Sequence, residues 1–176
     1  MKLWSIQHKS AYDQLQKEGV LHANEKYLFC GDELRFAYDW MADQLEQRVG
    51  KAPNGVHYPI WAWYQWEGQR KRLDMRTHRR WGVKGTPIVL LTLEIPDHLV
   101  LLSDFDMWHC VLNHGEVSFS GDIEKIYTEQ EIRESWNDIF KWNKINQYWP
   151  EPKTTQGVFW EIKKEWVVNA EPFVSG

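Results

Sequence analysis

Residues 87–104 read PIVLLTLEIPDHLVLLSD, and the order of chemistry in this stretch sets the fold class. An almost unbroken run of aliphatic side chains lies between Pro87 and Pro96. It is short enough for one strand, and proline at each end makes a helix through it unfavourable. Pro96, Asp97 and His98 supply a turn, and Leu99–Leu102 then read as a short partner strand. After Ser103 the pattern changes. SDFDMWHCVLNHG, 103–115, carries Ser103 and Asp106 at capping-box spacing and Gly115 as a stop, so a helix follows directly.

Working outward, the N-terminal side alternates short elements. KLWSIQ, 2–7, reads as a strand, and SAYDQLQKEG, 10–19, as a helix with Ser10 at its N-cap and Gly19 at its end. DELRFAYDWMADQLEQRVG, 32–50, is a longer helix capped by Asp32, with Leu34, Ala37, Tyr38, Met41 and Leu45 on one apolar stripe. VHYPIWAWYQW, 56–66, is strand-like in composition and apolar on both faces. On the C-terminal side, TEQEIRESWNDIFKW, 128–142, has Thr128 and Glu131 as a capping box with Ile132, Trp136, Ile139 and Phe140 on one face. A proline-bearing loop, 146–155, precedes a last extended segment, QGVFWEIKKEWVV, 156–168. Helices early and late around several strands predict an α+β fold. We expect one compact domain over 1–176, with a mixed or antiparallel sheet and several flanking helices.

Composition agrees with a globular chain: 43% of the residues are hydrophobic and 26% charged. Twelve tryptophans among 176 residues are unusual, and most are expected as core anchors. The net charge of −4 hides an asymmetry. Residues 67–84 hold seven Lys/Arg against Glu67 and Asp74, a local excess of +5. No run approaches the roughly 20 apolar residues of a membrane span. The start MKLWSIQHKS lacks the apolar core of a signal peptide. A cytoplasmic protein with reduced thiols at Cys30 and Cys110 is the expectation. Those two cysteines find no histidines at zinc-site spacing, so no metal is predicted.

The chain carries no G-x-G-x-x-G, no phosphate loop, no H-E-x-x-H and no G-x-S-x-G, which sets those enzyme classes aside. Three places could carry chemistry. In PIWAWYQWEGQRKRLDMRTHRRWG, 59–82, Trp61, Trp63, Tyr64 and Trp66 offer π-faces for a base or nicotinamide ring, and the arginines after them offer charge for phosphates. A nucleotide or nucleic acid is therefore the expected partner of 59–84. Alternation places Trp61 and Trp63 on one face and Tyr64 and Trp66 on the other, so part of this set is core. Glu161 sits mid-strand between apolar neighbours, either on a solvated face with Lys163 and Glu165 or in a site with a polar partner. Asp106 and His109, three apart on a helix, could transfer a proton, or Asp104 and Asp106 could serve the helix start while His109 packs.

The blocks K-L-W-x-I-Q, P-I-W-A-W-Y and L-S-D-F-D-x-W-H resemble an uncharacterised bacterial domain-of-unknown-function family, a resemblance that carries no activity. The opening strand, helix and glycine, with a glutamate on a late strand, also resemble the ADP-ribosyltransferase superfamily. That resemblance implies NAD as cofactor and ADP-ribosyl transfer or NAD cleavage as the reaction. Glu161 would stabilise the ribosyl cation, Tyr64 or Trp61 would pack on nicotinamide, and Arg72 or Arg76 would meet the pyrophosphate. The superfamily's first strand usually carries His or Arg at the NAD. Here Gln7 and His8 are the available substitutes. LWSIQHKSAYDQLQKEG, 3–19, is similar as well to the start of PUA-like nucleic-acid-binding domains of the ASCH type. The G-x-K-x-x-E-x-R motif of those domains is absent from GVLHANEKY, 19–27. A protein-interaction module, with exposed tryptophans as anchors, is the third class.

Overall fold

The structure is a computed structural model that describes residues 1–25, 31–78, 80, 82–119, 125–144 and 151–176. Cys30, Arg79, Trp81 and residues 146–150 of the proline-bearing loop at 146–155 lie outside the described residues. The elements in chain order are β1 (Lys2–His8), α1 (Lys9–Glu18), β2 (Val20–His22), α2 (Arg35–Arg48), β3 (Ile60–Gln65), α3 (Met75–His78), β4 (Pro87–Glu94), β5 (Leu101–Asp104), α4 (Phe105–Leu112), α5 (Glu129–Ser135), β6 (Thr155–Phe159), β7 (Glu161–Lys163) and β8 (Val167–Val174). Six strands form an antiparallel sheet in the order β5-β6-β3-β1-β4-β8, and β2 pairs with β7 in a second, two-stranded sheet. The expected α+β class holds, with the sheet antiparallel.

The apolar run 88–93 lies at the centre of the structure. β4 pairs with β1 on one side over seven residues and with β8 on the other. Its side chains are buried on both faces, which is why the run does not alternate. One face packs Leu3, Ala62, Leu91 and Leu93 against Leu15 of α1 and Leu21 of β2. The other face divides. Towards β5 and β6 it is covered by Ala37, Met41 and Leu45 of α2 with Met107, Trp108 and Trp136. Towards β4, Trp4, Ile6, Ile88 and Leu90 meet Leu73 and Met75 from the segment after β3. The candidate site lies where these two clusters come together.

Several local expectations change. α1 begins one residue before Ser10, and His8 stands at its N-cap, where its side chain makes no capping bond. In 103–115 the cap is Asp104, whose carboxylate accepts from the N–H groups of Asp106 and Met107; Ser103 belongs to β5. The sheet explains this: Ser103 is held opposite Gln156 inside β5, whereas Asp104, opposite Thr155, is the last residue of the strand and stands directly before the helix. That helix closes through His114 at φ 54°, whose ring stacks on Phe36 at 3.5 Å, with Gly115 one residue later. Thr128 and Glu131 form the expected capping box. The segment 156–168 is not one strand. It breaks at Trp160, whose indole N–H reaches the Gly50 carbonyl at 2.8 Å, and Glu161–Lys163 leave for the second sheet.

Candidate functional site

Gln156, Trp63, Trp4 and Ser103 come from four strands into one cross-strand row: Ser103 opposes Gln156, Gln156 opposes Trp63, and Trp63 opposes Trp4. Opposed residues point to the same side of a sheet, so all four face the divided layer. Here the sheet itself splits. β3 holds β6 through five registered pairs, yet it meets β1 at Trp4–Trp63 alone. One residue on, the Ser5 hydroxyl donates to the Trp61 carbonyl at 2.8 Å, so a side chain spans a gap that a ladder bond would otherwise close. Gln7 holds that hydroxyl in turn, its amide donating to Ser5 Oγ at 2.8 Å. The result is a slot of about 90 Å³ lined by Trp4, Ser5, Ile6, Trp61, Ala62, Trp63 and Gln156.

Polar groups in the slot and beside it, where Ser103 adjoins Gln156 outside the lining, are incomplete. Trp61 Nε1, Ser103 Oγ and Gln156 Nε2 are buried and have no hydrogen-bond partner among the described residues. The contrast with the core tryptophans is direct: Trp136 and Trp160 each place Nε1 on a backbone carbonyl, as buried indoles normally do. An unmet buried donor or acceptor costs about 1–3 kcal/mol. Of the four such atoms in the described sheet, with Thr155 Oγ1 as the fourth, Trp61 Nε1 and Gln156 Nε2 belong to side chains that line the slot, where a bound acceptor would recover the cost. Two broader depressions, along Thr128–Asn137 and beside Met1 and Trp166, are open surface grooves that gather no such group.

The aromatic wall has two parts. Trp61 lies 5.0 Å from Trp108 and 5.7 Å from Tyr38, while Trp63 lies 4.9 Å from both Trp66 and Phe105. Trp66 thus joins Trp63, not Tyr64. A register shift between Trp63 and Gln65 puts two residues of β3 opposite one of β6 and reverses the alternation beyond it. Tyr64 keeps to the α1 face, beneath the Arg70 guanidinium at 3.7 Å.

The basic segment is largely engaged within the fold. Arg70 donates to the carbonyls of Lys2 and Tyr64, and burial lowers its pKa. Arg72 grips the Glu171 carboxylate through Nε and Nη2 at 2.7 and 2.6 Å. Arg76 does the same to Asp74, which is held well below the usual carboxylate range by that guanidinium. Lys71, Arg80 and Lys84 are exposed and have no ion-pair partner among the described residues. His78 Nδ1 is bonded to the Asp74 carbonyl at 2.9 Å, leaving a buried, unpartnered Nε2 beside the Trp66 ring.

The remaining candidates lie elsewhere or at the margin. Glu161 sits in the second sheet, 3.2 Å from His22 Nε2 and 3.7 Å from Lys163 Nζ, and it does not line the slot. Asp106 occupies the first turn of α4, with its pKa raised by burial and by Asp104. His109 is exposed, its Nδ1 on the Phe105 carbonyl, and its ring meets the same Phe105 that packs on Trp63. Below them Lys153, almost fully buried, sets its ammonium 3.4 Å from Asp104 and 2.6 Å from the Lys144 carbonyl. The sequence reading missed Gln156, Ser103 and Trp4 as site residues. Only the strand order, which brings β6 beside β3 and β3 beside β1, places them together.

A family model described as a domain of unknown function, DUF3841, matches residues 2–130, and the chain belongs to that family. Comparisons with curated proteins and with solved structures give no match. Among the described residues no helix is long and apolar enough to cross a membrane, and no group of three or more His, Cys, Asp or Glu could hold a metal ion.

Proposed function

We propose that this domain binds a nucleotide by one flat ring, seated in the slot between β1 and β3 against Trp4, Trp61 and Trp63. The observation that carries the reading is the set of buried, partnerless groups on Trp61, Ser103 and Gln156 beside partly exposed indole faces. The slot is far smaller than the roughly 300–1,000 Å³ that encloses a drug-sized ligand. It suits one ring, with sugar and phosphate outside. Lys71, Arg80 and Lys84 are the cations left for that phosphate.

NAD is the first ligand to test, because it belongs to the ADP-ribosyltransferase resemblance and presents a single-ring base. The slot is lined by no carboxylate and no histidine, so binding is the function its geometry supports. Cleavage of NAD would fall to Glu161, acting from the second sheet while paired with His22. Single-stranded nucleic acid is the competing occupant, and salt separates the two.

The test is quenching of tryptophan fluorescence by NAD, ADP-ribose and short single-stranded RNA and DNA, at low and moderate salt. NAD should quench saturably, and Trp63→Leu should weaken it about tenfold, the effect of losing one stacked ring at about 1–3 kcal/mol. Nicotinamide release, absent in Glu161→Gln, would add turnover to binding. If no mononucleotide or dinucleotide binds and only oligonucleotides do, with steep loss in salt, the slot reading is wrong and the partner is a nucleic acid.

A further inference from the structure

We infer that the slot selects a six-membered ring bearing a carbonyl oxygen, and that Gln156 is the residue that enforces the choice; this rests on the nucleotide reading above. Trp61 decides the sign of the site. Its indole N–H is a donor only, whereas a hydroxyl such as Ser103 serves as donor or acceptor. The partnerless atom of Gln156 is the amide nitrogen, a second donor. Two donors on side chains that line the slot leave an acceptor as what a ligand has to supply, and a carbonyl oxygen is such a group. An exocyclic amino group in the same place would set donor against donor. Gln156 is only 4% exposed and lies between Ser103 on β5 and Trp63 on β3, so it has little freedom to turn away.

Size sharpens the argument. A slot of about 90 Å³ between Trp4 and Trp61 admits one ring and leaves a fused purine partly outside. The chemistry that fits is shared by two sources. One is the carboxamide-bearing pyridinium of a nicotinamide nucleotide, and the other is the oxo-pyrimidine of a uridine or thymidine nucleotide. Adenine nucleotides carry an amino group and a second ring, and they fit neither criterion.

The experiment measures affinities of nicotinamide mononucleotide, UMP and AMP for the full chain and for Gln156→Leu, a swap of similar volume that removes the amide. Wild-type protein should prefer one of the first two over AMP by about tenfold or more, the scale of a buried hydrogen bond. Which of the two prevails identifies the source. Gln156→Leu should bring that ratio close to one, chiefly by lowering the affinity for the preferred ring. Ser103→Ala, a smaller change on the same row, should narrow the ratio without abolishing it and serves if Gln156→Leu fails to fold. Equal binding of all three by wild-type protein, with Trp63→Leu weakening all of them, would overturn the carbonyl assignment and leave nucleotide binding standing. A ratio that persists in both variants would also overturn it. No binding of any of the three would overturn both readings.

Discussion

Asp104 and Asp106, two residues apart, do different work because of what each can reach. Asp104 turns back to cap α4 and faces the Lys153 ammonium, so its charge is compensated although it is buried. Asp106 has no such partner among the described residues; burial first, and then the Asp104 carboxylate, raise its pKa. A carboxyl whose folded pKa lies above its unfolded value disfavours folding when charged, and the cost vanishes once pH falls below the unfolded value of about 4. Asp106→Asn removes the charge and keeps the shape. The variant should therefore melt at a higher temperature than wild type near pH 7, with the difference closing as pH is lowered towards 3.5. A lower melting temperature near pH 7 would mean that the Asp106 charge supports the start of α4 by more than its burial costs. His109, exposed beside it, should leave melting almost unchanged when replaced by Gln.

At the scale of elements, the slot exists because β1 and β3 part while β3 and β6 stay tightly paired. Gly157 permits that pairing. A Cβ there would stand 2.9 Å from Val100 Cγ1 and 3.2 Å from Leu102 Cδ2, on the face opposite Trp61, Trp63 and Gln156. Gly157→Ala should destabilise the fold by about 1–3 kcal/mol through overpacking, read as a lower urea midpoint. Ring binding by the folded fraction should be unchanged, since the new methyl points away from those three side chains; a matching loss of affinity would show that the two faces are coupled. Much of this architecture was legible in the sequence. The uninterrupted aliphatic run of β4, the capping box of α5 and the aromatic stretch of β3 each announce their element by local chemistry. What stayed hidden is what long-range pairing decides. The register shift that sends Trp66 to the side of Trp63 depends on β6, ninety residues away, and the break at Trp160 depends on a carbonyl at Gly50. The candidate site was legible only as one wall, Trp61 and its neighbours. The polar wall, Gln156 and Ser103, is ordinary strand sequence until β5, β6 and β3 lie side by side.

For the whole molecule, the sheet has two edges, and they are protected in different ways. β5 is only four residues long and packs against the turn of 3₁₀ helix at Trp136–Phe140. β8 is twice that length, stands at the opposite edge, and exposes Val168 and Val174. A long open edge with exposed valines invites pairing with another copy. The hydrogen-bond parity of β8 shows how this is restrained. Ser175 directs both backbone groups inward, its N–H to the Thr86 carbonyl and its carbonyl to the Gly85 N–H. Counting back by twos, Phe173 and Glu171 also face β4, so Ala170, Pro172 and Val174 face outward. Pro172 lies in the middle of that outward row and has no N–H to offer, while Glu171 is anchored by Arg72. Pro172→Thr restores the missing donor and adds a β-branched side chain at the edge. The variant should self-associate at concentrations where the parent does not, seen as an earlier elution on size exclusion and a rise in light scattering. Its stability at low concentration should move by no more than about 1 kcal/mol, because the inward ladder is untouched. Unchanged association in Pro172→Thr would show that the edge is guarded by something other than the proline. The next change to make would then be Arg72→Ala, which frees Glu171 and the basic segment that lies across it.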